Sequence, residues 1–480
     1  MYVQLLNGAY TARSVIAGAQ RCVNLFPEIN QREAILSPFM PQQTAPTLMT
    51  HYPTPGLRLL CRAPQGPIRG LYRASTGILY MVAGSTLYTV SDQWILTELG
   101  SIAFATTPVS MADNGQILVL VDGSSKGYSY SSSGFAEITD SAFYGATAVQ
   151  YIDTFFVFNR PGYPTWYSSL SEEISFDPLY FANKSGYADA LQTLVVCARQ
   201  IWLIGTLTTE IWYDAGNANF PFATVPGAFI PHGTVAPYSV ATQDINVFWL
   251  SQDDQGQALV LMGSGYTAKR ISTHAIENDF VSYGTVSDAI GMIYQQEGHT
   301  FYMLTFPSAD KTWCYDVSTN LWHERMWLDS NGLEHRHRAM SMANAYGQIV
   351  CGDWQNGNVY ALELNTYTDN GQPIRRIRGF PHLVKDLNRI VYTRFVADMQ
   401  TGTLAANTIT PTVSLRWSDT RGASWREPIT APLGQVGQPQ KIIQFRRLGM
   451  ARDRVFELSW SAPILTGLNG AAVELIPSQT

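Results

Sequence analysis

Seven β-hairpins recur along this 480-residue sequence, each made of an apolar strand, a tight polar turn and a second strand that usually ends in Tyr or Trp. Their starts lie roughly 40–50 residues apart, the spacing at which four-stranded propeller blades follow one another. The repeats predict an all-β chain built around a β-propeller of six or seven blades, because one hairpin could form a separate strand pair. The hairpins are Ile78–Val90, Ile117–Tyr130, Thr154–Tyr167, Ile201–Tyr213, Val247–Met262, Thr300–Tyr315 and Gln348–Leu362.

The rest of the sequence divides around this repeat. Residues 1–56 contain six prolines and few strand signals, so we predict an extended N-terminal arm there. The propeller is predicted over residues 57–364 and a linker with turn and basic residues over 365–388. Residues 389–480 are predicted to form a C-terminal, β-sandwich-like platform module, because short segments there alternate as half-buried strands do. These segments are Val391–Asp398, Thr412–Trp417, Lys441–Arg447, Arg454–Trp460 and Gly470–Ile476.

Charge is unevenly distributed between these regions. The net charge is −6, but residues 1–372 carry 17 Lys and Arg against 30 Asp and Glu, whereas residues 373–480 carry 14 against 7. One interpretation is ordinary scatter over solvated faces. The other is a mostly acidic body joined to a basic module that docks on an acidic surface. An acidic body is poorly suited to holding nucleic acid tightly, because phosphate contacts need Lys and Arg.

The five cysteines are widely scattered, and no pair has C-x-x-C spacing. This pattern predicts free, mostly buried thiols in a protein made in a reducing cytoplasm. The N-terminal residues lack the basic and apolar regions of a secretory signal, and no apolar run approaches 18 residues. We therefore expect no stable membrane insertion.

No residue is predicted to be catalytic or to bind a cofactor or a metal, because no nucleotide, hydrolase or zinc motif is present. The cluster His323, His335 and His337 lies among charged residues and is interpreted as a solvated or contact loop rather than a metal site. Trp417–Trp425 resembles an Asp-box hairpin, whose role is structural. A glycan-binding or sialidase-like propeller stays an alternative, although no motif positions its arginines, tyrosine and glutamate.

The densest basic segment is Gln444–Leu458. In one interpretation it is a solvated hairpin whose arginines pair with Asp453 and Glu457. In the other it contacts a neighbouring subunit or partner, where the planar fork of arginine is favoured. The candidate contact residues are Arg446, Arg447, Arg452, Asp453 and Arg454.

Several segments, in order over nearly the whole chain, resemble the packaged-DNA stabilisation proteins of short-tailed phages, also called tail hub or tail nozzle proteins. None of these segments is a catalytic signature, so their order and coverage carry the resemblance. They are Tyr10–Glu28, Val195–Gly216 with Pro231–Val240, Leu259–Glu277, Gly352–Ile374, and the tail segments Leu415–Trp425 and Phe445–Leu458.

The resemblance implies a structural virion protein of the tail, synthesised in the host bacterial cytoplasm. It implies a homohexameric ring below the portal and its adaptor, around the channel through which double-stranded DNA leaves. A tail needle or plug and tail fibres or tailspikes are the further partners that it implies. Since Lys and Arg contacts to phosphate would add friction, we predict a neutral to acidic channel wall and a closed cyclic ring. A generic propeller interaction module is the remaining alternative.

Overall fold

A computed structural model describes residues 2–14, 21–30, 48–187, 189–217, 220–386, 388–400, 411–434, 437–438 and 441–477. Nearly all regular structure in these residues is β-strand. Their helices are the α-helix His274–Val281, which Thr273 caps, and the 3-10 turn Pro237–Ser239. The predicted arm prolines Pro38, Pro41 and Pro46 lie outside the described residues.

Five successive antiparallel sheets of four strands form blades 1 to 5. Blade 1 contains Ile68–Arg73, Leu79–Ala83, Thr86–Val90 and Leu96–Ser101, and blade 2 contains Ser110–Asp113, Leu118–Val121, Gly127–Ser131 and Gly134–Glu137. Blade 3 contains Val149–Ile152, Phe155–Asn159, Thr165–Ser168 and Phe181–Asn183. Blade 4 contains Leu191–Cys197, Gln200–Gly205, Thr209–Asp214 and Phe222–Ile230, and blade 5 contains Ala241–Gln243, Asn246–Gln252, Ala258–Ser264 and Thr267–Arg270.

A sixth blade closes the ring with strands from both ends of the repeat. Its first three strands are Ala339–Ala345, Gln348–Asp353 and Asn358–Glu363, and its outer strand is Gly56–Arg62, which pairs antiparallel with the third. The short strands Thr368–Asp369 and Gln372–Pro373 extend this sheet. Blade 6 contacts blade 1, so the first and last parts of the repeat meet.

A further four-stranded group lies between blades 5 and 6 and shares its sheet with the C-terminal module. The strands of this shared group are Ile290–Gln296, His299–Phe306, Lys311–Asp316 and Leu321–Glu324. A small separate pair, Met326–Leu328 with Glu334–Arg336, follows it. Six blades are thus separate from the module and one blade-like group is joined to it, which confirms the prediction of a six- or seven-bladed propeller.

The seven predicted hairpins are the second and third strands of these groups, and their strands fill the spaces between blades. Leu79–Ala83 is buried along its whole length, as predicted for a strand covered on both faces. Trp166 is fully buried, and its ring meets that of Trp212 in blade 4 at 5.4 Å. Large aromatic side chains therefore occupy the wedge between twisted blades.

The C-terminal module consists of two sheets packed face to face. The first contains Leu25–Asn30, Leu48–Pro53, Leu468–Pro477, Ile390–Met399 and Ile443–Arg446 in that spatial order, with Tyr2–Gln4 and Met450–Ala451 paired at its side. The second continues from the shared group through Cys22–Val23, Arg376–Gly379, Asp453–Trp460, Thr412–Ser418 and Ile429–Pro432, with Leu383–Val384 beside it. Phe395 and Phe456 pack across the interior at 5.3 Å.

The described parts of the predicted arm and linker contribute strands to these sheets. Arm strands Leu25–Asn30 and Leu48–Pro53 form one edge of the first module sheet. The strand Arg376–Gly379 of the predicted linker lies between Cys22–Val23 and Asp453–Trp460. Both segments therefore connect the ring to the module through backbone hydrogen bonds.

Candidate partner-binding surface

The predicted arginine segment divides into a buried part and an exposed part. Arg454 is 1% exposed, and its Nε and Nη2 atoms donate to the two carboxylate oxygens of Asp419 at 2.6 and 2.9 Å. Its guanidinium also lies 4.4 Å from the ring centre of Tyr392. Arg454 is thus held inside its own subunit by a two-pronged ion pair and an aromatic face.

Asp453 is also buried and already engaged. Its carboxylate accepts hydrogen bonds from Arg421 Nε at 2.7 Å and from His382 Nδ1 at 2.8 Å. Glu457 pairs with Arg416, with Nη2 and Oε1 2.5 Å apart. The two carboxylates that the solvated-hairpin interpretation assigned to the segment's arginines are therefore occupied by other side chains.

Arg446, Arg447 and Arg452 are exposed, and none of them forms an ion pair with a carboxylate in the described part of the chain. Arg446 donates to Gln444 Oε1 at 3.1 Å. Ile442 is 63% exposed and Met450 46% exposed beside these arginines. We call these five residues the arginine edge, a surface with the apolar and arginine content typical of protein interfaces.

The Asp-box-like hairpin is held by its own hydroxyl groups. Ser418 Oγ accepts from the backbone N–H groups of Thr420 and Gly422 at 3.2 and 2.9 Å. Thr420 Oγ1 accepts from the N–H of Ser424 at 2.8 Å. The hairpin thus orders the loop that carries Asp419, the partner of buried Arg454.

A groove that the sequence analysis did not predict lies at the opposite edge of the first module sheet. It has a volume of about 360 Å³, and the arm strands, the turn before His299, the segment after blade 6 and the module all line it. We call it the acidic groove because the exposed carboxylates of Glu28 and Glu297 stand at its wall. Its apolar wall includes Phe26, Tyr52 and Tyr367.

Electrostatics and packing fix the floor of the acidic groove. His299 Nδ1 lies 2.8 Å from the buried carboxylate of Asp316, and this hydrogen bond raises the pKa of His299, with Glu28 and Glu297 acting in the same direction. The His299 ring stacks on Phe301 and meets Phe26 edge-on at 5.3 Å. Neither glutamate forms an ion pair within the described residues, so both are available to a cation.

The segment with three histidines, predicted to be a solvated or contact loop, is instead partly buried, because two of its rings lie in the interior. His323 and His337 are buried, and desolvation lowers the pKa of His337 to about 3. His335 Nδ1 instead lies 2.7 Å from Asp310. In the residues that the structure describes, no three His, Cys, Asp or Glu side chains are grouped to hold a metal ion, and no helix is long and apolar enough to cross a membrane.

Comparison with known proteins gives one family. A phage stabilisation family model, described as bacteriophage P22 Gp10, β-propeller, matches residues 35–367. No curated protein matches the chain.

Solved structures similar to this chain include a chain of the S. cerevisiae Dbp5 complex with Nup159 and Gle1, at 9% identity and a TM-score of 0.40, covering 65% of this chain and 94% of that one. They also include the N-terminal domain of Nup159, at 10% identity and 0.39, covering 67% and 97%. BamB from Moraxella catarrhalis is similar at 11% identity and 0.33, covering 64% and 99%.

Proposed function

Because this chain belongs to the phage stabilisation family of bacteriophage P22 Gp10, a family of phage structural β-propellers, we propose that it is a tail nozzle. As a member of that family it is a structural component of the virion. In the proposed role, six copies form a ring that extends the DNA channel below the portal adaptor. The ring retains the packaged genome and provides the surface to which a needle or plug and the tail fibres or tailspikes attach.

The observation that carries this proposal is the extent of the family match. Residues 35–367 include all six blades and the shared group, so the match covers the whole propeller of one subunit rather than a single repeated hairpin. A propeller alone is compatible with many functions. A family match over the entire propeller restricts those functions to a phage structural role.

Charge supports a conduit for DNA. The first 372 residues, which contain the propeller, carry a net charge of −13, since 17 Lys and Arg stand against 30 Asp and Glu. Each Lys or Arg that contacts phosphate releases counterions and strengthens binding, so a basic wall would retard moving DNA. We expect the channel-facing surface to be neutral to acidic. A continuous ring of Lys and Arg around the lumen of the assembled nozzle would contradict this expectation.

The proposal is tested with phage particles that lack this protein but retain the portal and adaptor. Purified protein is added, and the particles are imaged by electron cryomicroscopy and assayed for retained DNA. Sixfold density at the tail vertex together with restored DNA retention is the expected result. Particles that also lack the adaptor are the matched control and should gain no density. Failure of the protein to bind adaptor-bearing particles would overturn the proposed function.

A further inference from the structure

The arginine edge and the acidic groove lie at opposite edges of one sheet. In the first module sheet, Leu25–Asn30 and Leu48–Pro53, which carry Phe26, Glu28 and Tyr52 of the groove, form one side. Ile443–Arg446 forms the other side and pairs with Ile390–Met399. Five strands separated by about 4.8 Å place the two surfaces roughly 19 Å apart. Within one subunit they therefore do not meet.

The acidic groove has the chemistry of a receptor for a guanidinium group. Glu28 and Glu297 supply carboxylates without an ion-pair partner among the described residues, and Tyr52 and Tyr367 supply aromatic faces. Arginine binds carboxylates through its planar fork and stacks on aromatic rings, so it matches both components. Apolar wall residues also suit aliphatic side chains beside that arginine.

The arginine edge presents the complementary groups. Arg446 lies opposite Arg394 in the sheet, and the nearby carboxylate of Glu474 is paired with Arg394, whose Nε lies 3.3 Å from it. The exposed Ile442 and Met450 flank the arginines. The arginine edge thus carries positive charge without a carboxylate partner among the described residues, next to apolar area. Its charge is opposite to that of the acidic groove, and both surfaces combine charged with apolar groups.

We propose that the arginine edge of one subunit docks in the acidic groove of the next copy of this chain. This inference rests on the proposed function, because it names the contact that joins neighbouring subunits of the nozzle. Two different surfaces that meet form a heterologous contact, and a heterologous contact whose rotation closes generates a ring. Because donor and receptor lie at opposite edges of one rigid sheet, each subunit binds one neighbour on each side.

Charge reversal provides the test. The groove variant carries Glu28→Arg and Glu297→Arg, the edge variant carries Arg446→Glu and Arg452→Glu, and a swapped variant carries all four substitutions. Association between copies is measured by native mass spectrometry at high concentration and by copy number on adaptor-bearing particles. Since like charges then face each other, the groove and edge variants should each associate at least about tenfold more weakly than the wild type. The swapped variant should recover association, because opposite charges meet again.

Two controls separate this contact from general charge effects and from misfolding. Arg73→Glu with Lys269→Glu changes the net charge as much as the edge variant does, at exposed positions on blades 1 and 5, and should leave association unchanged. Far-ultraviolet circular dichroism should match the wild type for every variant, and the urea unfolding midpoint should match it for the edge variant and the control. The swapped variant also guards against misfolding, since only a folded chain can recover.

The outcomes distinguish this inference from the proposed function. Assembly of the groove and edge variants at the wild-type level, or failure of the swapped variant to recover, overturns the docking contact and leaves the nozzle assignment intact. Absence of association between wild-type copies both in solution and on particles also overturns the contact. Wild-type copies that associate in solution but do not bind adaptor-bearing particles would instead contradict the nozzle assignment.

Discussion

Replacing Arg69 with methionine should destabilise the propeller strongly, because this arginine joins blade 1 to blade 2 from a fully buried position. Its side chain is 0% exposed. Nη2 lies 2.9 Å from Asp122 Oδ2 in blade 2, and Nε donates to the carbonyl of Thr107 at 2.8 Å in the connection between the blades. Nη1 donates to the carbonyl of Gly84 at 3.2 Å within blade 1.

The magnitude follows from what the substitution leaves behind. Methionine preserves most of the apolar volume but leaves Asp122 buried without its cation, and it leaves the carbonyl oxygens of Gly84, Ala103 and Thr107 without this donor. Asp122 keeps its hydrogen bonds from the N–H and hydroxyl of Ser124, so its desolvation is only partly compensated. Removing one partner of a buried ion pair typically costs about 3–5 kcal/mol in the free energy of unfolding. We expect Arg69→Met to fall in that range.

Urea unfolding followed by tryptophan fluorescence measures the loss, and Arg58→Met is the matched control. Arg58 forms the same kind of pair with Glu363, 2.6 Å apart, but its side chain is 46% exposed. An exposed pair contributes about 0–1 kcal/mol, so the control should lose no more than that. Asp122→Asn added to Arg69→Met should cost less than the sum of the two single substitutions, because the pair is coupled. Equal losses for Arg69→Met and Arg58→Met would refute the reasoning.

Three further predictions concern the ring, the groove and the thiols. Gly145→Ala should cost about 2–5 kcal/mol in the free energy of unfolding, because the φ of Gly145 is +75° and the new Cβ would lie 2.2 Å from the carbonyl oxygen of Ser124. Gly162 has a similar φ of +80° but open space around it, so Gly162→Ala should cost only about 1–2 kcal/mol when both are measured by urea unfolding. Because the pKa of His299 is raised in the folded state, its ion pair with Asp316 stabilises the fold fully below about pH 6.5 and less as the pH rises through the folded-state pKa. A series of unfolding midpoints against pH should show this dependence in the wild type and lose it in His299→Gln. Intact-mass analysis after alkylation should show slow reaction at Cys61 alone in the folded protein, because the other four cysteines are buried and burial raises the pKa of Cys61 to about 11.

Local pattern was sufficient to predict the propeller's hairpins and five of the seven strands that the described part of residues 389–480 forms. Thr209–Asp214 follows Gln200–Gly205 after a three-residue turn, so pairing depends on neighbouring residues and the alternation is visible in the sequence. The predicted Val391–Asp398 corresponds to Ile390–Met399 in the same way. The helix His274–Val281 was not predicted, although Thr273 is a typical N-cap residue. Its eight residues carry too short an apolar stripe to stand out.

Closure of the propeller and the acidic groove depend on residues roughly 270–300 positions apart along the sequence. Gly56–Arg62 pairs with Asn358–Glu363, and nothing in either segment indicates the other. The groove brings Glu28 to Glu297 in the same manner. For the arginine segment, composition indicated a contact but could not indicate burial. Arg452 is exposed just before the strand Asp453–Trp460 and Arg454 is buried within it, although the side chains are identical. The difference arises from the loop that carries Asp419, which pairs with Arg454.

The joint between ring and module is built from backbone hydrogen bonds rather than from side-chain packing alone. Val23 pairs with Glu324 of the shared group on one side and with Ile377 of the module on the other, so one ladder runs from the ring into the module. Asn24 strengthens this joint, because its side-chain amide donates to the carbonyls of Met326 and Arg375 at 3.0 and 2.8 Å and its Oδ1 accepts from Met326 N–H at 3.0 Å.

A hinge at this joint would have to break those bonds in a buried position, where an unpaired backbone group costs about as much as a lost hydrogen bond. The module is therefore held at one angle to the ring, and the arginine edge and acidic groove have fixed directions relative to it. Fixed directions are what a heterologous contact needs, since a module that swung freely would allow open chains as readily as a closed ring. In the proposed ring of subunits, the N-terminal segment that supplies Val23 and Asn24 would thus set the directions in which neighbouring copies dock, because it fixes the joint within each subunit.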